Sequence, residues 1–185
     1  MNKSILMSIQ PKWLVKILNG EKTIEIRKTM PKCDLPIDVY LYCTKNGKSL
    51  LRIPTNDKKE CFLEVPYGWV VNKKIGFNGR VVAKFTLNKI LGFNSALGNP
   101  RIYTKAKIGD TEVARYGKGK TLYAYHIDNL VIFDKPKELG EFKVVNPDVE
   151  NVGSFGWAFS EDELPQYEPV KKAPQSWQYA YIKGE

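Results

Sequence analysis

"LMSIQPKWLVKILNGEKTIEIRKTMP", residues 6–31, compresses three elements into one short run. Just before and within it, Ile5, Met7 and Ile9 recur at every second position, the period of a half-buried strand over 3–9. Pro11 suits a first helical position, where its missing N–H costs nothing, and Trp13, Leu14, Ile17 and Leu18 follow at helical spacing. Gly20 is placed to cap that helix at its C-terminal end. A second strand, "TIEIRK" (23–28), starts at once, with Ile24 and Ile26 on one face and Thr23, Glu25 and Arg27 on the other.

The polar face of that second strand has two readings. As the wet side of a strand, Glu25 and Arg27 form a solvent-facing ion pair worth under about 1 kcal/mol. As the floor of a binding site, Glu25 supplies acceptors and Arg27 a planar fork of donors, about 6–7 Å apart on one face. Lys22, in the turn before the strand, adds an ammonium at the rim. Such a set matches a nucleobase edge or a phosphate. Pattern alone favours the wet face, since charge on a strand's solvent side is common.

Further strand signal comes from "IDVYLYC" (37–43), "GRVVAKFTLNKI" (79–90), "TLYAYHI" (121–127), "NLVIF" (129–133) and "SWQYAYI" (176–182). "DTEVARYG" (110–117) predicts a short helix and "PKELGEF" (136–142) a single turn. At least six short strands with few helices predict an α+β fold, a small and mostly antiparallel β-barrel, as one domain over 1–185. Two long excursions stand outside it: an insertion at about 44–78, with its own hairpin around "FLEVPYGWVV", and an acidic stretch at about 143–175.

The formal charge of +9 is unevenly spread. Residues 1–35 hold seven basic and three acidic side chains, 44–80 eight and three, and 101–120 six and two. Residues 134–168 hold three basic and nine acidic ones. A basic body with one acidic segment suits a polyanion on one face. Aromatic residues interleave with the bases (Tyr40, Tyr42, Trp69, Tyr103, Tyr116 and Tyr123), the combination that stacks and neutralises single-stranded nucleic acid. Tyr42 is the preferred exposed ring, and Lys45 and Lys48 follow it as phosphate-steering cations.

Other classes are disfavoured. No apolar run approaches the roughly 18 residues a spanning helix needs. The apolar pieces of the N-terminus are broken by Ser8, Gln10 and Pro11, so no secretory leader is expected and a cytoplasmic setting is. Cys33, Cys43 and Cys61 are odd in number and unpaired in spacing, which predicts neither a disulfide framework nor a zinc site with His126, the single histidine. No metal or cofactor is expected.

The opening segment resembles that of ASCH-family proteins of the PUA-like superfamily, whose signature is a strand, a short helix and then G-x-K-x-x-E-x-R. Gly20, Lys22, Glu25 and Arg27 match it position for position. "LYAYHIDNLVIFDKPKEL" (122–139) and "APQSWQYAYI" (173–182) resemble the closing strands of phage and bacterial members. The resemblance implies a PUA-like barrel and a cleft lined by Lys22, Thr23, Glu25 and Arg27. Tyr42, Lys45, Lys48, Ser176 and Trp177 are further candidates for that cleft. It also implies binding of single-stranded RNA or a modified nucleoside, and turns the reading of Glu25 and Arg27 towards a site. One branch hydrolyses the amide of acetylated cytidine with a Lys, a Thr and a Glu, and another member is a ribonuclease. The branch's Lys matches Lys22, its Thr falls on Glu25, and Glu112 is a candidate for its Glu. A hydrolase acting on RNA or a nucleoside amide, with Lys22 as base and Glu25 as partner, is therefore the alternative. A third reading is a basic face for an acidic protein. With Ile24 and Ile26 carrying the packing, Glu25→Ala is expected to leave the fold largely intact.

Overall fold

Strand β1 (Asn2–Ile9) is buried on both faces from Ser4 onward, which places it inside a sheet. A computed structural model describes residues 1–45, 49–54, 60–64, 77–145 and 167–183. On one side β1 pairs antiparallel with β12 (Trp177–Ile182), Asn2 opposite Ile182. On the other it pairs parallel with β3 (Ile37–Cys43), Ile5 opposite Val39. A parallel step needs a crossover, and this one is made by α1 (Pro11–Leu18) and β2 (Ile24–Arg27). Gly20 turns the chain between them at φ +72°, a conformation open to glycine at little cost.

The remaining elements are β4 (Leu50–Arg52), β5 (Phe62–Glu64), β6 (Val81–Leu87), β7 (Ile90–Asn94), α2 (Pro100–Ala106), α3 (Asp110–Gly117), β8 (Thr121–His126), β9 (Asp128–Lys137), β10 (Lys143–Val145) and β11 (Tyr167–Pro169). Seven strands form one sheet in the order β11-β10-β12-β1-β3-β6-β9; β2-β8-β7 form a second and β4-β5 a two-stranded ladder. The class is mostly-sheet α+β, as the strand signals predict. Among the described residues no ladder joins β9 to β11, and no closed barrel is seen.

Period-two alternation divides the large sheet's side chains between two cores. Ile5, Met7 and Ile9 pack with Val39, Leu41, Phe85 and the α1 residues Leu14, Ile17 and Leu18. Leu6, Tyr40 and Tyr42 pack on the opposite side with Phe142 and Ala180. A third cluster joins Ile24 and Ile26 of β2 to Ile102 of α2 and Val113 of α3.

Three local departures have identifiable causes. The expected strand over 79–90 is two, because the chain leaves the large sheet after Leu87 and pairs in the small one from Ile90. The hairpin expected around 62–71 does contain strand at Phe62–Glu64, but its partner is Leu50–Arg52; residues 65–71 lie outside the described set. The acidic excursion starts and ends in β10 and β11, which pair with each other, Val144 opposite Glu168.

Candidate functional site

Among the described residues strand β2 pairs only with β8, Glu25 opposite Tyr125 and Arg27 opposite Tyr123. One face of it carries Ile24 into the third core. The other turns Glu25 and Arg27 towards a cleft of about 620 Å³. The N-terminal end of α1 (Gln10, Lys12, Trp13) forms one wall and α3 (Glu112, Arg115, Tyr116) another. Gln175 and Ser176, entering β12, close the end.

The floor is a chain of charges. Glu25 Oε2 lies 3.2 Å from Lys22 Nζ, and Glu25 Oε1 3.2 Å from Arg27 Nη2. Lys22 Nζ also donates to the carbonyls of Ile24 (2.8 Å) and Ala106 (2.7 Å). Three acceptors around one nitrogen are what an ammonium requires. Arg27 donates from Nη2 to the Ser8 carbonyl (2.9 Å) and from Nη1 to Ser176 Oγ (3.2 Å), while its buried Nε has no partner among the described residues. Lys22, Glu25 and Arg27 are only 4, 9 and 7% exposed. They are therefore not the wet face of a strand, and Lys22 sits on the floor rather than at the rim. Burial lowers the basicity of Lys22; the Glu25 carboxylate opposes this, and Arg27 and Lys16 add to it.

Two rings flank this floor. Trp13 lies 5.5 Å from Lys22 Nζ and 4.7 Å from Lys12 Nζ. The ring of Tyr116 lies under Lys28 Nζ at 4.6 Å, and burial raises the pKa of its phenol against the pull of the Arg27 charge.

Of the residues expected from the sequence, Lys22, Glu25, Arg27 and Ser176 come together. Thr23 does not. It precedes β2, is exposed, and its backbone is tied to Lys105 and Ile127. Tyr42 is a correction: at 5% exposure it fills the second core on the other side of the sheet, and so has no free ring face. Lys45 is exposed outside the cleft, its stem against Gly79, whereas its neighbour Thr44 lines the cleft. Lys48 and Trp69 lie outside the described residues. Trp177 packs edge-on to Tyr179 and donates to Thr29 Oγ1 (3.1 Å). Glu112 stands at the cleft edge and accepts from the Gly109 N–H that starts α3 (3.4 Å). Tyr40 and Tyr103 are core rings, against Phe142 and Phe93.

The sequence reading missed the roles of Trp13, taken as helix packing, and of Arg115. A signal for the α3 wall existed, since 112, 115 and 116 fall on one helix face at i, i+3 and i+4. Among the described residues no His, Cys, Asp and Glu side chains gather in a metal-holding group, and no helix is long and apolar enough to cross a membrane.

This arrangement of sheets and crossover is similar to the crystal structure of the ASCH protein from Zymomonas mobilis, with a TM-score of 0.54 over 95% of this chain and 86% of that one, at 16% identity. The chain shares the ASCH fold. Two single-residue mutants of the Zymomonas protein give the same picture. Its serine-to-alanine form matches at a TM-score of 0.54 and 15% identity, over 95% of this chain and 87% of that one. Its tyrosine-to-phenylalanine form matches at 0.55 and 15%, over 96 and 90%. At such identities the likeness to ASCH proteins concerns the fold. The sequence itself matches no family model and no curated protein.

Proposed function

We propose that this ASCH-fold chain binds RNA or a modified nucleoside in the cleft floored by Lys22, Glu25 and Arg27. The observation that carries this reading is the burial of that linked trio at the base of a concave surface. Taking ions out of water costs several kcal/mol each, and a buried ionisable group with a specific charge partner in a cleft is a functional-site candidate. Trp13 and Tyr116 stand where a base can stack, a contact worth about 1–3 kcal/mol per base. The basic residues at the edge suit a phosphate backbone. The sequence resemblance to ASCH-family proteins points to the same ligand class. On this reading residues 1–185 act as one PUA-like domain.

A thermal-shift screen with plain and modified nucleosides and short RNA tests it. A ligand at 100 times its dissociation constant adds about 2.7 kcal/mol of stability. No shift with any of them, and none in calorimetry at low salt, would count against the proposal.

A hydrolase reading has one specific observation behind it, the lowered basicity of Lys22. Against it stand the three acceptors already held by that ammonium. Product release from acetylated cytidine or from RNA, lost in Lys22→Met, would favour this second reading; binding without turnover favours the first.

A further inference from the structure

The cleft's charge does not balance. Among the described residues five cationic side chains line it (Lys12, Lys22, Arg27, Lys28 and Arg115) against the carboxylates of Glu25 and Glu112, a net of +3. Each Glu25 oxygen faces one of the two buried cations, so the charge of that carboxylate is already matched on the floor. What the floor lacks is negative charge.

Two observations locate where that charge belongs. Helix α1 points its N-terminal end into the cleft with no acidic residue in its first turn and no side-chain bond from its N-cap Gln10. Pro11 has no amide hydrogen and the Trp13 amide bonds the Gln10 carbonyl, so Lys12 is the first amide donor at that positive end. Independently, Arg27 is more than nine-tenths buried, and among the described residues neither its Nε nor the buried Thr44 hydroxyl, also lining the cleft, has a partner. An orphaned buried donor is costly, at about 1–3 kcal/mol, and an oxyanion relieves it.

We infer that the occupant of this cleft carries a phosphate, seated between the N-terminal end of α1 and Arg27, so that the ligand is a nucleotide unit and not a neutral nucleoside. The inference rests on the nucleoside reading above and narrows it. A phosphate brings about −1.5 to −2 charge at pH 7, the sign and size that the lining lacks, and leaves the base to Trp13 and Tyr116.

Titration calorimetry of the full chain at low salt, with a nucleoside, its 5′- and 3′-monophosphates and inorganic phosphate as separate probes, tests this. One monophosphate should bind at least tenfold tighter than the nucleoside, and tighter than inorganic phosphate. Lys12→Gln, at an exposed position, should shrink the monophosphate-to-nucleoside ratio several-fold, while Lys135→Gln, which removes the same charge from β9, should leave it unchanged. Equal affinity for nucleoside and monophosphates would overturn the inference and leave the nucleoside reading standing. Inorganic phosphate binding as tightly as the nucleotide would overturn the nucleotide assignment. Binding of none of the probes would overturn the inference, and with no binding of short RNA either it would overturn the reading beneath it.

Discussion

Glu25 holds two cations that have nowhere else to discharge. Its replacement is therefore not the mild change that strand alternation predicts. Glu25→Gln leaves Lys22 and Arg27 buried without a counter-ion, and breaking such a pair from one side costs about 3–5 kcal/mol. Urea denaturation at pH 7 should show that loss; a change under about 0.5 kcal/mol would return Glu25 to the surface role first read for it. The types and spacing at 22, 25 and 27 were legible in the sequence, but their burial was not. It depends on α3 and on Ser176, brought over β2 from far along the chain. Another residue-scale outcome concerns the thiols. Burial pushes the Cys43 thiol up to about 12, from an ordinary 9.0. The folded chain keeps that proton after the unfolded chain has lost it. Stability from this group is full below pH 9 and drains as pH rises towards 12. Native protein treated with a thiol reagent at pH 8 should lose Cys33 first, the partly exposed one, with Cys43 and Cys61 reacting only on unfolding.

Among the elements, α3 ends at a residue whose packing leaves no room for a side chain. Gly117, its last residue, lies so close to Ser95 that a Cβ there would overlap it, and Leu122 stands 3.0 Å away. Gly117→Ala should cost about 1–3 kcal/mol through overpacking. The next residue asks for the opposite substitution. Lys118 ends the helix at φ 50°, in the left-handed region that costs an L-residue roughly 1–2 kcal/mol. Glycine there relieves the strain but loses more entropy on folding, so Lys118→Gly should raise stability by less than about 1 kcal/mol. Thermal melts of the two variants should move in opposite directions. Helix α1 was legible because apolar spacing and terminal residues agreed, and α3 from its capping residues and closing glycine. Helix α2 was missed although Asn99 caps it, its side chain accepting from the Ile102 N–H, and Pro100 opens it. With Ile102 and Ala106 its only buried residues, α2 shows little apolar periodicity.

Across the whole molecule, the strand signals give the class, but not which strands meet. The parallel β1–β3 pair and the departure of β7 into a second sheet follow from long-range packing that alternation does not encode. The same packing sets the response to acid. Burial, then the charge of Lys89, lowers the pKa of His126 below its ordinary 6.5, and its Nε2 is buried without a partner. As pH falls through 6.5 the unfolded chain takes up a proton that the folded one refuses, so stability falls. Melting temperatures between pH 7 and 5 should drop less in His126→Gln than in the unaltered protein; equal slopes would remove His126 from the account.

The antiparallel pairing of β1 with β12 also orders events in time. Ser8 takes the carbonyl of Ser176 with its N–H and that of Pro174 with its hydroxyl, at 2.9 and 2.6 Å. Ser176 in turn accepts from Arg27. On the ribosome, at roughly 5–20 residues per second, these partners emerge about 8–35 s after Ser8 does. Throughout that interval the nascent chain carries Ile5, Leu6 and Met7 on a strand with one side unpaired. Arg27 is synthesised early but gains its contact with Ser176 only once residue 176 has been made. A chain stalled before residue 174 should therefore be a client for chaperones and unable to hold a ligand, however well its first forty residues have begun to fold.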